Sequence, residues 1–350
     1  MGENIFTNIA GWLRSVLDAA GAPLLLNDIT LMIVKLVAIL LFILLNSLWL
    51  VYMERRVAGI IQSRLGPNRV GPQGLLQPFA DMLKALSKEI FLPKDIDRVV
   101  YLLMPMLIFV PPFLIYAVLP FGRDMVAINM NIGVFYLLAV ASLTTIILWG
   151  AGWSSDNKYS LIGGMRAVAQ MVSYELPLAL SLLGVIMITG TLNMNEIVNA
   201  QKNVWFMFTQ PIAFLVFFIA GIAETNRTPF CLVEGESEII AGPFTEYSGL
   251  AWNLFSLSEY VSLMVISAMC TVMFLGGWLA PFGLDFIPSW LWFFLKMYVM
   301  IFIFMWVRWT YPRIRIDHLL GFGWKVLVPL TLANIFVTGA GMYIYRAIGW

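Results

Sequence analysis

Between Glu224 and Tyr247 the chain reads Glu-Thr-Asn-Arg-Thr-Pro-Phe-Cys-Leu-Val-Glu-Gly-Glu-Ser-Glu-Ile-Ile-Ala-Gly-Pro-Phe-Thr-Glu-Tyr. Five carboxylates (Glu224, Glu234, Glu236, Glu238 and Glu246) share this stretch with one cation, Arg227, and long apolar runs bound it on both sides. Like charges four residues apart, as at Glu234 and Glu238, oppose a helix by roughly 0.2–0.5 kcal/mol. Crowding at a membrane surface also pushes such loop carboxyls upward in pKa. A charged loop that merely stays in water is the plainer account of the same composition.

Two further acids lie inside apolar runs. Glu175 follows Met165-Arg166-Ala167-Val168-Ala169-Gln170-Met171-Val172-Ser173-Tyr174; at 1.5 Å of rise per residue it sits about 15 Å into a helix. Glu259 reaches a comparable depth when its run is entered near Gly249. An unpartnered charge at that depth costs several kcal/mol, so a membrane-buried acid is a functional candidate by default. A neutral, hydrogen-bonded structural role competes, but a pair at matched depth favours a proton path with the acidic loop at its entrance. Pro177 removes a backbone donor two residues beyond Glu175, and a local kink there would admit water. Lys35 and Lys296 are the other charges within these runs, and both snorkelling and service in a relay remain open for them.

The elements that must hold these residues follow from composition. Of 350 residues 61% are hydrophobic and 12% charged, against about 25% charged in soluble chains, so the chain is a membrane protein. Net charge of +1 gives no argument for nucleic acid. Two cysteines, Cys231 and Cys270, and one histidine, His318, fall short of the ligands an iron–sulfur cluster or structural zinc site needs. Electrons must therefore arrive from a partner. Met-Gly-Glu-Asn-Ile-Phe lacks a basic leader region and has Phe6 where myristoylation wants Ser or Thr, which reads as an uncleaved start. No repeat and no low-complexity tract interrupts the pattern.

A hydrocarbon core asks for roughly 20 apolar residues per helix. Eight runs qualify, near 31–52, 99–120, 132–152, 166–189, 204–224, 248–280, 288–308 and 325–346. Loops after the first, third, fifth and seventh carry fourteen Lys and Arg, and the opposite side four (Arg14, Arg123, Lys202 and Arg346). By the positive-inside rule the rich side is cytoplasmic and both termini face out. The expected architecture is an all-α integral membrane protein, one membrane domain over 1–350 with about eight transmembrane helices. Folded inside loops are expected near 53–98, 153–165, 225–247 and 309–324. The first begins at once with Glu54-Arg55-Arg56 and turns tightly through Gln62-Ser63-Arg64-Leu65-Gly66-Pro67-Asn68-Arg69-Val70-Gly71-Pro72. From Gly74 to Glu89, apolar residues at Leu75, Leu76, Phe79, Met82, Leu83 and Leu86 alternate with Asp81, Lys84 and Lys88, the spacing of an amphipathic helix on the membrane surface. Arg308-Trp309-Thr310-Tyr311-Pro312-Arg313-Ile314-Arg315-Ile316-Asp317-His318 forms the last inside loop, with His318 read as a surface residue.

Four motifs stand in one order: Glu-Arg-Arg with Arg-Leu-Gly-Pro-Asn-Arg-Val-Gly, Leu-Leu-Gln-Pro-Phe-Ala-Asp, Glu-Thr-Asn-Arg-Thr-Pro-Phe with Glu-Gly-Glu-Ser-Glu, and Arg-x-x-Tyr-Pro-Arg-x-Arg-x-Asp. Together they resemble, over nearly the whole chain, the quinone-pocket membrane subunit of respiratory complex I. The resemblance implies a membrane subunit of a proton-pumping NADH:quinone oxidoreductase, with quinone as substrate and no redox centre of its own. Iron–sulfur clusters and flavin are implied only on partners: peripheral-arm subunits carrying the terminal cluster, beside antiporter-like membrane subunits. The setting implied is an energy-transducing membrane, a bacterial inner membrane ahead of a mitochondrial one. Carried over by motif, Gln62, Arg64, Phe230 and Arg308 are quinone-channel candidates. Asp81, Glu175, Glu224, Glu234, Glu236, Glu246 and Glu259 are candidates for the proton or coupling path. The chain departs from the pattern at Cys231, where the family usually has an acid. Three other readings compete: the equivalent subunit of an energy-converting hydrogenase, a stand-alone proton or cation transporter, and a structural anchor. A transporter predicts inverted repeats, which the sequence lacks, and an anchor leaves the buried glutamates unexplained.

Overall fold

Apolar length sets the frame, and prolines decide where it breaks. In the computed structural model the described residues are 11, 14–15, 24–123, 125–233, 235–281 and 286–347. Side chains at 24–26, 28, 31, 35, 236, 237, 345 and 346 are also outside the description. Candidates Glu234 and the side chains of Glu236 and Lys35 therefore lie beyond it. Among the described residues seven helical stretches are long and apolar enough to cross a membrane: Met32–Ile61, Arg98–Tyr116, Gly133–Ser154, Lys158–Thr189, Gly249–Phe274, Ser289–Thr310 and Ile316–Ile344. The chain is a multi-pass, all-α membrane protein, and among the described residues only an isolated bridge, Gly122 to Met125, is extended pairing.

Helix α1, Leu24–Ile61, runs nine residues past its expected end, so Glu54, Arg55 and Arg56 are helical and do not open a loop. The register explains this. Ile43, Ser47, Leu50 and Glu54 fall on one helical face and all are buried. The surface helix appears where expected, as α2, Gln77–Ser87, with Phe79, Met82, Leu83 and Leu86 exposed on its outer side. The second run divides into α3, Arg98–Leu107, and α4, Val110–Tyr116, just ahead of Pro111-Pro112. The third divides at Ser142 into α5, Gly133–Ala141, and α6, Leu143–Ser154.

Helix α7, Lys158–Thr189, starts eight residues before the expected 166, capped by Asn157, whose side chain accepts from the Tyr159 amide at 3.0 Å. It passes through Pro177 without a break and ends on Gly190 at φ +71, the left-handed geometry that suits glycine at a helix end. After α8, Met194–Ala200, the fifth run is short. It splits into α9, Phe206–Thr209, and α10, Pro211–Glu224, because Pro211 forces Gln210 out of helical geometry. The freed Gln210 side chain donates to Thr338 at 2.8 Å and accepts from Asn334 at 2.7 Å, a polar link of the kind that holds membrane helices together.

Helix α11, Glu236–Ile239, and a 3-10 turn at Gly242–Phe244 shape the acidic stretch. Gly242, at φ +54, has no room for a side chain, since a Cβ would stand 1.9 Å from the Val233 carbonyl oxygen. Helix α12, Gly249–Phe274, is the most enclosed of the long helices and forms the axis of the bundle. Helix α13, Ser289–Thr310, packs on it. Helix α14, Ile316–Phe322, passes through a π turn at Gly323–Leu327 into α15, Val328–Ala347. Trp149, Trp153, Trp252 and Trp306 stand partly or largely exposed near the arginine-bearing ends of their helices, as interfacial aromatics do.

Candidate functional site

The continuation of α1 carries Glu54 into the bundle, and two arginines meet it there. Arg227 Nη1 donates to Glu54 Oε2 at 2.8 Å, and Arg308 Nη1 to Oε1 at 2.6 Å. Tyr260 of α12 adds a hydroxyl hydrogen bond to the same carboxylate, and the Arg227 guanidinium lies 4.5 Å from the Tyr260 ring centroid. Arg227 is 2% exposed and Glu54 3%. The chain reaches this position because Asn226 takes φ +52 and turns the segment after α10 back into the protein. There Phe230 N bonds the Arg227 carbonyl at 2.8 Å, and Ile314 N ties Pro229 O to the last loop at 3.1 Å. The family-marked stretch Thr225–Val233 is accordingly mostly buried, where a charged solvent loop would be exposed. Two guanidinium groups on one carboxylate leave a charge of +1. Arg227 Nε and Nη2 are buried with no acceptor among the described residues. Glu259 and Cys231 lie within electrostatic reach of Arg308.

A cavity of about 50 Å³ lies one residue from this cluster along the chain, lined by Asn226 next to Arg227 and by Glu259 next to Tyr260. Glu224 from the end of α10 and Glu259 from α12 both line it, with Thr144, Thr225, Asn226, Ser258 and Ser262 as the polar wall and Ile108, Ile115 and Val265 on the apolar side. At about 10–15 Å³ per water centre it accommodates several waters. Gln170 of α7 fixes the end of α10, its Nε2 donating to Ala223 O at 2.8 Å and to Asn226 Oδ1 at 3.2 Å. Glu224 Oε2 and Gln170 Oε1 are buried without a hydrogen-bond partner among the described residues. Depth along the helices matched Glu175 with Glu259. The cavity instead joins Glu224 to Glu259, and Glu175, half-buried, stands within electrostatic reach of Glu224 without lining the cavity.

The remaining candidates are dispersed. Glu246 accepts from Asn157 Nδ2 at 2.6 Å, and its carbonyl accepts from the Tyr101 hydroxyl at 2.7 Å. Tyr101 stacks on Tyr247 at 4.2 Å, and burial pushes the Tyr247 phenol up to about 12. Glu238 pairs with Arg166. Asp81 sits on the surface elbow between Arg55 and Gln77. Gln62 and Arg64 bond one another at 2.6 Å in the exposed turn after α1. Phe230 is buried against Tyr174, ring centroids 5.6 Å apart. His318 is exposed, as its isolation from other ligand residues suggested. Glu54, Tyr260 and Gln170 are site residues that sequence reasoning missed, and Arg227, noted there as the cation of the acidic stretch, was not a candidate either. For Glu54 the signal was present in its place on the Ile43–Leu50 face, where a loop motif was read instead.

Lys296 has a different environment. Its ammonium donates to the carbonyls of Leu275 at 2.7 Å, Gly277 at 3.0 Å and Leu279 at 2.7 Å, and lies 4.5 Å from the Trp205 ring centroid. It thus caps the far end of α12, where backbone carbonyls lack helical partners.

A family model described as NADH dehydrogenase matches residues 34–339. The chain is 54% identical over 350 residues to an NADH-quinone oxidoreductase subunit of Carboxydothermus hydrogenoformans, covering all of both chains. It is 53% identical to the protein of the same name from a Geobacillus species and 51% to that from Bacillus cytotoxicus, each over 286 residues, 81% of this chain and 86% of theirs. Identity at that level over the whole length is far beyond what a shared apolar composition produces, so the chain belongs to the NADH dehydrogenase family.

Proposed function

We propose that this chain is the membrane subunit of a bacterial proton-pumping NADH:quinone oxidoreductase, forming part of the quinone chamber and linking quinone reduction to proton movement. Quinone reduction to quinol takes up electrons and protons together. In this reading the electrons come from iron–sulfur clusters and flavin on peripheral-arm subunits, since the sequence has too few thiols to hold a cluster. Quinone approaches from the arginine-bearing side, past Gln62 and Arg64, toward Phe230 and Arg308. Asp81 and Glu246 flank the approach, and Glu234 and Glu236 add acid to the sequence stretch 224–247. The bacterial relatives support a bacterial inner membrane, with both termini on the outer face by the distribution of Lys and Arg. Antiporter-like membrane subunits would receive the charge signal.

The observation that carries the reading is the cavity shared by Glu224 and Glu259 beside the Glu54–Arg227–Arg308 triad. A carboxylate that gains or loses a proton at Glu259 changes the field on Arg308, and Arg308 is bonded to Glu54. Chemistry at the quinone end and protonation in the cavity are thereby coupled through one guanidinium. The test replaces Glu224 or Glu259 by Gln in the whole complex in proteoliposomes. The complex should assemble, and the proton gradient formed per quinone reduced should fall sharply. Two assembled Gln variants with a normal gradient per quinone would remove these acids from the path.

A further inference from the structure

At the end of the bundle opposite the arginine-rich loops, polar side chains give way to packed rings. Phe121, in the loop after α4, touches four of them: Phe42 of α1 at 6.4 Å, Tyr116 of α4 at 5.9 Å, and Phe293 and Phe294 of α13 at 5.6 and 6.1 Å between centroids. Phe42 and Phe294 meet at 5.3 Å, and Trp290 extends the cluster from Phe294 at 6.4 Å. Tyr116 and Phe293 are fully buried. The loop is built to hold Phe121 inward. Its amide bonds Met125 O at 3.0 Å, Ile128 N bonds Ala117 O at 2.9 Å, and Arg123 N bonds Ser289 Oγ at 3.2 Å, which fastens the loop to the start of α13.

Directly beneath these rings lie hydroxyls. Tyr298 of α13 bonds Asn46 of α1, and Asn46 Nδ2 donates to Phe42 O at 2.9 Å. The Tyr116 hydroxyl is buried, with no hydrogen-bond partner among the described residues, and Tyr298 is within its electrostatic reach. Tyr116 follows Ile115, which lines the Glu224–Glu259 cavity. Ile115 belongs to the apolar side of that cavity, and a proton leaving there toward the far side by way of Tyr116 and Tyr298 meets the rings.

We propose that the aromatic cluster centred on Phe121 is a proton barrier that closes the far end of the bundle, so that the Glu224–Glu259 cavity exchanges protons with one side only. A proton needs an unbroken chain of donors and acceptors. Close-packed phenyl faces supply none, and their packing leaves no room for water. Removing one ring opens a void, and a void bordered by hydroxyls can hold water where an apolar one stays dry. The barrier rests on the proton-path reading above, but it fails or stands by a separate measurement.

The experiment uses the whole complex in proteoliposomes, without NADH, and follows proton entry after an imposed pH jump. Phe121→Ala should raise passive proton permeability several-fold and lower the gradient held during turnover, with the rate of quinone reduction unchanged. Phe121→Leu, which keeps an apolar filling, should stay near the parent. Phe294→Ala, at a position half-buried like Phe121 and in contact with Phe42, Phe121, Phe293 and Trp290, supplies the same readout should Phe121→Ala fail to assemble. Adding Glu259→Gln to the leaking variant should suppress the leak if protons travel through the cavity. Assembled Phe121→Ala or Phe294→Ala complexes with parental permeability would overturn the barrier. A leak that persists with Glu259→Gln would keep the barrier and remove Glu259 from its route, which separates the two readings.

Discussion

Two buried cationic sites, one toward each end of the bundle, solve the same problem in different ways. Near the arginine-rich loops, Arg227 and Arg308 share one counter-ion, Glu54, drawn from a helix far away in sequence. At the other end, Lys296 is held by three main-chain carbonyls and a tryptophan ring, all dipoles or quadrupoles with no net charge. A counter-ion can gain a proton, lose a partner or feel a neighbouring acid, so the first site responds to events around it. Carbonyls at the end of a helix cannot titrate, so the second fixes geometry. The responsive site is the one that adjoins the Glu224–Glu259 cavity, and the inert one anchors the far end of the helix that bears Glu259.

The sharpest way to break this contrast is Glu54→Gln, which leaves two arginines around a neutral amide. Removing one member of a buried ion pair costs roughly 3–5 kcal/mol. The subunit should be lost from the purified complex, or retained with quinone reduction abolished, as read by subunit content and activity. Retention with normal activity would mean that the triad has no part in the response.

Lys296→Met should be milder. It leaves carbonyls of the turn after α12 without their donor, at a cost of about 1–3 kcal/mol for an unsatisfied buried group. The expected result is a lower inactivation temperature with partial activity, restored toward the parent by ammonium or methylammonium, which can occupy the carbonyl cage. Glu54→Gln should show no such rescue. Rescue of neither variant would remove the cation-cage account of Lys296.

Cys231 sharpens the responsive half of the comparison, because it is buried within electrostatic reach of Arg308, at a position where the resemblance implied an acid. Cys231→Asp puts a carboxylate beside a cation and should leave coupling largely intact. Cys231→Lys sets two cations together and should impair quinone reduction. A quinone-site inhibitor should also slow the reaction of Cys231 with a maleimide. Equal labelling with and without inhibitor, together with an active Lys variant, would place Cys231 away from the quinone. The smallest effect is expected at the solvent-facing Arg55–Asp81 pair, where Asp81→Asn should change stability by about 1 kcal/mol or less. A loss of coupling as large as that of Glu259→Gln would support Asp81 as a member of the proton path.

The amino-acid sequence by itself determined the class of molecule and the identity of its reactive groups. Apolar length requires helices in a bilayer, because backbone amides there have no water to bond. That argument located the long apolar helices, missing the extension of α1 and the early start of α7, and the helical apolar spacing of 74–89 located the surface helix. The acids at Glu175 and Glu259 stood out because charge in hydrocarbon is costly, and Glu224 because it opens the acidic stretch. Local pattern could not reveal partners. Glu54 meets Arg227 across 173 residues of chain and Arg308 from a second helix, and nothing in the spacing of either motif encodes that meeting. Depth along a helix is a one-dimensional quantity, so it paired Glu175 with Glu259. Which acids share a cavity depends on helix rotation and on the broken fifth run that brings Glu224 inward, and packing alone decides both. Lys296 illustrates the same limit, since three carbonyls in the turn after α12 identify its role and no residue type marks a carbonyl.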